Sequence, residues 1–126
     1  MGSGFVLICD DDRLLTELLE HRLGQLGYET AVAQDGGEAL ARLEERPPDA
    51  VILESILPVH DGYEILRRIR ESERLKDLPV IMLTARKQDR DIVTALELGA
   101  SEYVTKPFIL DELTARLARL TRNRPG

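Results

Sequence analysis

Short, wholly apolar runs alternate along this chain with stretches whose apolar residues recur every three or four positions. Phe5-Val6-Leu7-Ile8-Cys9 is continuous and stops at three aspartates, which reads as a strand buried on both faces. Leu15, Leu18, Leu19 and Leu26 follow at helical spacing, with Gly27 ending the helix. Tyr28 to Ala33 is a second strand, less hydrophobic and expected near an edge. Asp35-Gly36-Gly37 reads as a turn, and Glu38 to Glu45 as a short helix stopped by Pro47-Pro48. The pattern then repeats. Strands are expected at Ala50–Leu53, Val80–Leu83 and Glu102–Thr105. Between them, helix Tyr63–Arg70 turns Ile65, Leu66 and Ile69 inward, and helix Asp89–Leu98 carries Ile92, Ala95 and Leu96 on one face. A last helix aligns Leu110, Leu113, Leu117 and Leu120.

Strands that alternate with helices imply parallel pairing through right-handed crossovers, and strands buried on both faces need helices on both sides of the sheet. The fold class is therefore α/β, a flavodoxin-like (βα)5 three-layer sandwich with strand order 2-1-3-4-5. One domain is expected over residues 5–121, preceded by a leader or cloning remnant at 1–4 and followed by a tail or linker at 122–126.

Composition narrows the function. The 126 residues are 43% hydrophobic and 32% charged, as in an ordinary folded domain. Seventeen basic against 23 acidic residues leave a net charge of −6, which disfavours nucleic acid or an anionic membrane as partner. No apolar run approaches the ~20 residues that span a bilayer, and no signal-peptide pattern is present, so a cytoplasmic location is expected. A single cysteine, Cys9, excludes an internal disulfide and reads as a small core residue.

In open parallel sheets, ligands bind beyond the carboxyl ends of the strands where strand order reverses. Those ends carry Asp10-Asp11-Asp12, Glu54, Thr84 and Lys106. Carboxylates suit a hard divalent cation, and a hydroxyl with an ammonium suits phosphoryl oxygens. Asp11 and Glu54 are expected to bind Mg²⁺ directly, Asp10 through water, and the Ile56 carbonyl to add an oxygen. A carboxylate at position 54 is the natural phosphoryl acceptor. Each group also has a plainer role: Asp12 as a helix cap, Thr84 as another cap, Lys106 as a surface lysine. His21 and His60 lie apart from other ligands and are read as exposed and non-catalytic.

Over residues 5–120 the chain resembles the receiver domain of two-component response regulators, with chemotaxis-regulator-like motifs. The resemblance rests on Val6-Leu7-Ile8-Cys9-Asp10-Asp11-Asp12, Leu57-Pro58-Val59-His60-Asp61-Gly62-Tyr63-Glu64, Pro79-Val80-Ile81-Met82-Leu83-Thr84-Ala85 and Gly99 to Phe108. The spacings agree too: 44 residues from Asp10 to Glu54, 30 on to Thr84 and 22 on to Lys106. The resemblance implies that Asp10 and Asp11 hold Mg²⁺, that Thr84 is the switch hydroxyl, and that Lys106 pairs with the phosphoryl group. It further implies a cis Lys106-Pro107 peptide and a Tyr103 that swings inward with Thr84. An amphipathic edge-strand role for Tyr103 remains open. The implied partners are a histidine kinase or phosphotransfer protein, with a homodimer or output domain meeting the fourth helix, fifth strand and fifth helix. Arg116, Arg119, Arg122 and Arg124 make that last helix basic, which also fits a solvated face beside the helix dipole.

The chain departs from the family at the acceptor itself. Receivers of this kind carry aspartate where Glu54 stands. The extra methylene extends the carboxylate by on the order of 1.5 Å. In-line transfer can lose about a hundredfold for a displacement of about 1 Å. The resemblance therefore implies a form that accepts phosphate poorly or not at all. Glu54 has two readings: an introduced partial mimic of the phosphorylated state, or a natural pseudo-receiver that docks proteins independently of phosphate. The rival enzyme reading is a small phosphatase with an Asp-x-Asp nucleophile at Asp10 and Asp12, which the chain's length disfavours.

Overall fold

The computed structural model describes residues 4–122, in which five strands alternate with five helices. In chain order these are β1 (Gly4–Cys9), α1 (Arg13–Gln25), β2 (Tyr28–Ala33), α2 (Gly36–Glu45), β3 (Ala50–Leu53), α3 (Gly62–Glu71), β4 (Val80–Thr84), α4 (Asp89–Leu98), β5 (Glu102–Thr105) and α5 (Leu110–Arg122). All four strand pairs are parallel, in the order β2-β1-β3-β4-β5. The expected flavodoxin-like (βα)5 topology is the one found. The less apolar β2 lies at an edge, as its composition predicts.

The two-residue period of a strand sorts the core into two halves. Leu7, Cys9, Val51, Leu53, Val80 and Met82 face α2, α3 and α4, where Ala39, Leu43, Ile65, Leu66, Ile69 and Ala95 meet them. The alternate residues Val6, Ile8, Ile52, Ile81 and Leu83 face α1 and α5, against Leu19, Leu23, Leu113 and Leu117. The register pairs Cys9 with both Ala33 and Leu53, Leu53 with Met82, and Thr84 with Thr105. The strands therefore finish along one rim, and the residues just beyond them become neighbours.

Four local expectations need correction. Gly4 belongs to β1 and Arg122 to α5, one residue outside each expected limit; residues 1–3 and 123–126 lie outside the described residues. Leu18 and Leu96 are about half exposed, because each flanks its helix's buried stripe instead of lying on it. In α4 the inward residues are Ala95, fully buried, and Leu98, packed against the core. Gly36 starts α2 and does not sit in a turn, with Asp35 capping the helix through the Glu38 N–H. A Cβ on Gly36 would lie 2.1 Å from the His60 carbonyl oxygen, so close approach requires glycine there.

The same constraint acts beside the site. The Gly62 N–H donates to the Ser55 carbonyl at 2.8 Å, and a Cβ on Gly62 would lie 2.2 Å from the Glu54 carbonyl oxygen. This contact sets the path of the backbone leaving β3. Gly62→Ala is expected to destabilise the domain by about 2–3 kcal/mol, read as a lower urea midpoint with an unchanged m-value.

Candidate functional site

Asp10 and Glu54 are the first residues past β1 and β3, and both are almost fully buried, at 4% and 7% exposure. Burying two carboxylates in contact with one another's surroundings requires a counter-charge. Lys106, the first residue past β5, supplies it. Its Nζ donates to Asp10 Oδ2 at 2.9 Å and to Glu54 Oε1 at 3.0 Å. The backbone fixes the lysine, since the Lys106 N–H donates to the Thr84 carbonyl at 2.8 Å and the Lys106-Pro107 peptide is cis. The second oxygens are also satisfied. Asp10 Oδ1 accepts the Asp12 N–H at 2.9 Å, and Glu54 Oε2 accepts the Ile56 N–H at 3.2 Å.

Thr84 closes the rim from the end of β4. It is fully buried, its Oγ1 lies 2.7 Å from Ser55 Oγ, and it accepts the Arg86 N–H at 3.2 Å. It does not cap a helix, because the α4 cap position is Gln88. Tyr103, half-buried on β5, packs against the α3–α4 side of the core and donates from its hydroxyl to the Arg86 carbonyl at 2.9 Å. Asp10, Glu54, Thr84 and Lys106 are thus brought together as expected. Asp11 is exposed. Asp12 is also exposed and caps α1 by accepting the Leu15 N–H at 3.2 Å, as expected.

The electrostatics follow from burial and pairing. Burial pushes the Asp10 carboxyl above its usual range despite the bonds from Lys106 and Asp12. Burial acts on Glu54 in the same direction, yet Thr84, Lys106 and the Ile56 N–H together hold its carboxyl below the usual range. Lys106 is desolvated too, but its two carboxylates outweigh that and keep its ammonium protonated to higher pH than an ordinary lysine. Burial also raises the Cys9 thiol, which makes it an inert core group, as its sequence context predicts.

The oxygen-only donor set is chemically suited to a hard cation. Among the described residues no three of His, Cys, Asp or Glu converge as metal ligands, because Lys106 draws Asp10 and Glu54 to itself while Asp11 stays exposed.

Sequence reasoning missed two features. Ser55 is fully buried and contacts both Glu54 and Thr84; the signal was a hydroxyl two residues past an apolar strand, next to the acceptor position. His60 is half-buried, not exposed, with Nδ1 3.1 Å from Glu64 Oε1. On α5, Arg116 and Arg119 both close onto Glu102 of β5, so this basic face is paired within the domain. Arg124 lies outside the described residues.

A family model described as the response regulator receiver domain matches residues 6–118. The transcriptional regulatory protein TrcR of Mycobacterium tuberculosis is 47% identical over 117 residues, covering 93% of this chain and 45% of that protein. The chain spans about half the length of the curated relatives it matches. A solved response regulator from Chloroflexus aurantiacus superposes with a TM-score of 0.90 at 37% identity, covering 97% of this chain and all of the other. The Mn(2+)-bound form of response regulator Rcp1 superposes at 0.81 with 26% identity, covering 95% of this chain and 93% of that one. No described helix is long and apolar enough to cross a membrane. The fold, the rim residues and the family match coincide over nearly the whole chain, which belongs to the receiver domains of two-component response regulators.

Proposed function

We propose that this domain is the receiving module of a two-component phosphorelay, in a form whose acceptor position holds a permanent carboxylate. The carrying observation is the Lys106 ammonium, 2.9 Å from Asp10 and 3.0 Å from Glu54. In a receiver with aspartate at this position, the carboxylate oxygen attacks phosphorus as the P–N bond to the donor histidine breaks and its imidazole leaves, and Lys106 stabilises the transferred oxygens. Here the longer Glu54 side chain already occupies the lysine's reach. The site holds an anion where a phosphoryl group belongs, and its attacking oxygen is displaced from the in-line position.

Two observations support a bias towards the switched-on arrangement: the Thr84 hydroxyl lies 2.7 Å from Ser55 Oγ beside the acceptor position, and Tyr103 packs against the core. A single carboxylate has fewer oxygens and less charge than a phosphoryl group, so its effect on the two-state equilibrium is partial. Asp10, Asp11, Glu54 and the Ile56 carbonyl are the groups that would hold Mg²⁺, and a Mn(2+)-bound form of the similar response regulator Rcp1 supports a divalent cation here. When bound, the cation offsets their negative charge, and Glu54's engagement with Lys106 weakens that binding. The upstream partner is a histidine kinase or phosphotransfer protein that carries the donor histidine. A second copy or an output domain meets α4, β5 and α5, where Val93 and Leu96 are about half exposed.

Two outcomes check this reading. On incubation with a small-molecule phosphodonor and Mg²⁺, intact-mass measurement is expected to show no gain for this chain and one phosphoryl group for Glu54→Asp. If Glu54→Asp gains none, the domain is a phosphate-independent docking module instead.

Lys106→Met leaves two buried carboxylates without a counter-charge, expected to cost about 2 kcal/mol at neutral pH. Lys106 titrates higher when folded, so its contribution is complete below the ordinary lysine value of about 10.4 and fades as pH rises past its folded value. At the acid end the cost shrinks as the carboxyls protonate and stop needing a cation. The stability difference between parent and variant, from urea unfolding, is therefore expected to peak near neutrality and fall on both sides.

A further inference from the structure

Ser55 has no exposed surface, although it follows a strand whose residues are all apolar. A buried hydroxyl must find partners. Its Oγ lies 3.3 Å from Glu54 Oε2 and 2.7 Å from Thr84 Oγ1. An ionised carboxylate only accepts, so where Ser55 gives its one proton to Glu54 Oε2, Thr84 gives its own to Ser55; Thr84 also hydrogen-bonds Glu54 directly, and Ser55 is a second link between them. Thr84 Oγ1 then accepts the Arg86 N–H at 3.2 Å, and the Arg86 carbonyl accepts the Tyr103 hydroxyl at 2.9 Å. Hydroxyl contacts thus join the acceptor carboxylate to Thr84, and the Arg86 backbone, held by Thr84 at its N–H and by Tyr103 at its carbonyl, joins Thr84 mechanically to the aromatic ring on β5.

We infer that Ser55 is a positioning residue whose hydroxyl passes the orientation of the Glu54 carboxylate to Thr84 and, through the Arg86 backbone, to Tyr103. The inference rests on the reading of Glu54 as a carboxylate standing in the acceptor position. It adds a link that works without phosphate. Hydroxyl rotors inside a protein follow the acceptor at the head of their chain, and each bond strengthens the next. The path also explains why a carboxylate is needed. Glu54 must present one acceptor oxygen to Lys106 and another to Ser55 and the Ile56 N–H. A glutamine offers one oxygen, so an amide leaves one side facing donors with a donor.

The test follows the Tyr103 ring resonances by NMR in the full chain at neutral pH, with circular dichroism confirming that each variant is folded. Glu54→Gln is expected to shift the Tyr103 signals in the parent. Ser55→Ala is expected to shift them as well, and in the Ser55→Ala background Glu54→Gln is expected to have a smaller effect. Thr84→Val cuts the path one step later and should move Tyr103 in the same direction as Ser55→Ala. Ser55→Thr restores a hydroxyl and should restore the response to Glu54→Gln. Tyr103 signals unmoved by Ser55→Ala overturn the inference. So does an undiminished response to Glu54→Gln in the Ser55→Ala background, which would mean that Glu54 acts on Thr84 through their direct bond alone. The phosphodonor experiment is independent: Glu54→Asp accepting phosphate while Ser55→Ala is silent discards the relay alone. A Glu54→Asp that accepts none, with Tyr103 responding to Ser55→Ala, discards the phosphorelay reading alone.

Discussion

One ammonium shared between two buried carboxylates organises this domain's functional end. Asp10 and Glu54 are nearly inaccessible to water, and Lys106 is the only cation bonded to either of them among the described residues. Buried ion pairs of this kind add little to stability, because desolvation offsets the attraction. Their worth here lies in position. Three strand ends must terminate at the same level for Asp10, Glu54 and Lys106 to meet, and the parallel register supplies that alignment.

The rest of the architecture serves that alignment. Apolar side chains of alternate parity anchor β1, β3 and β4 to helices on both faces, leaving the strand ends no freedom to slide past one another. Gly62, pressed against the Glu54 carbonyl, and the cis Lys106-Pro107 peptide fix how the chain leaves β3 and β5. The charged groups at the rim are therefore held by backbone geometry on every side.

The topology was legible because each element carries a clean period. Continuous apolar runs mark β1, β3 and β4, and helical stripes such as Leu113 and Leu117 mark what packs on them. The rim was legible for the same reason: once strand ends are known, Asp10, Glu54, Thr84 and Lys106 follow. What escaped was orientation within a turn and across space. Leu18 and Leu96 are apolar residues beside a buried stripe, which periodicity alone places on it. Gly36-Gly37 resembled a turn because the requirement for glycine comes from His60, distant in sequence. Ser55 was passed over because a lone serine carries no motif; its partner Thr84 lies 29 residues away. The pairing of Arg116 and Arg119 with Glu102 was likewise invisible without the packing of α5 on β5.

The central claim is that Glu54 and Asp10 hold the Lys106 ammonium in place. Lysine-side-chain ¹H–¹⁵N NMR addresses it most directly, with exposed Lys76 and Lys87 as internal references. The account predicts one slowly exchanging ammonium, that of Lys106, which loses its protection in Glu54→Gln. Three ammonium groups that exchange alike, indifferent to Glu54→Gln, would contradict it.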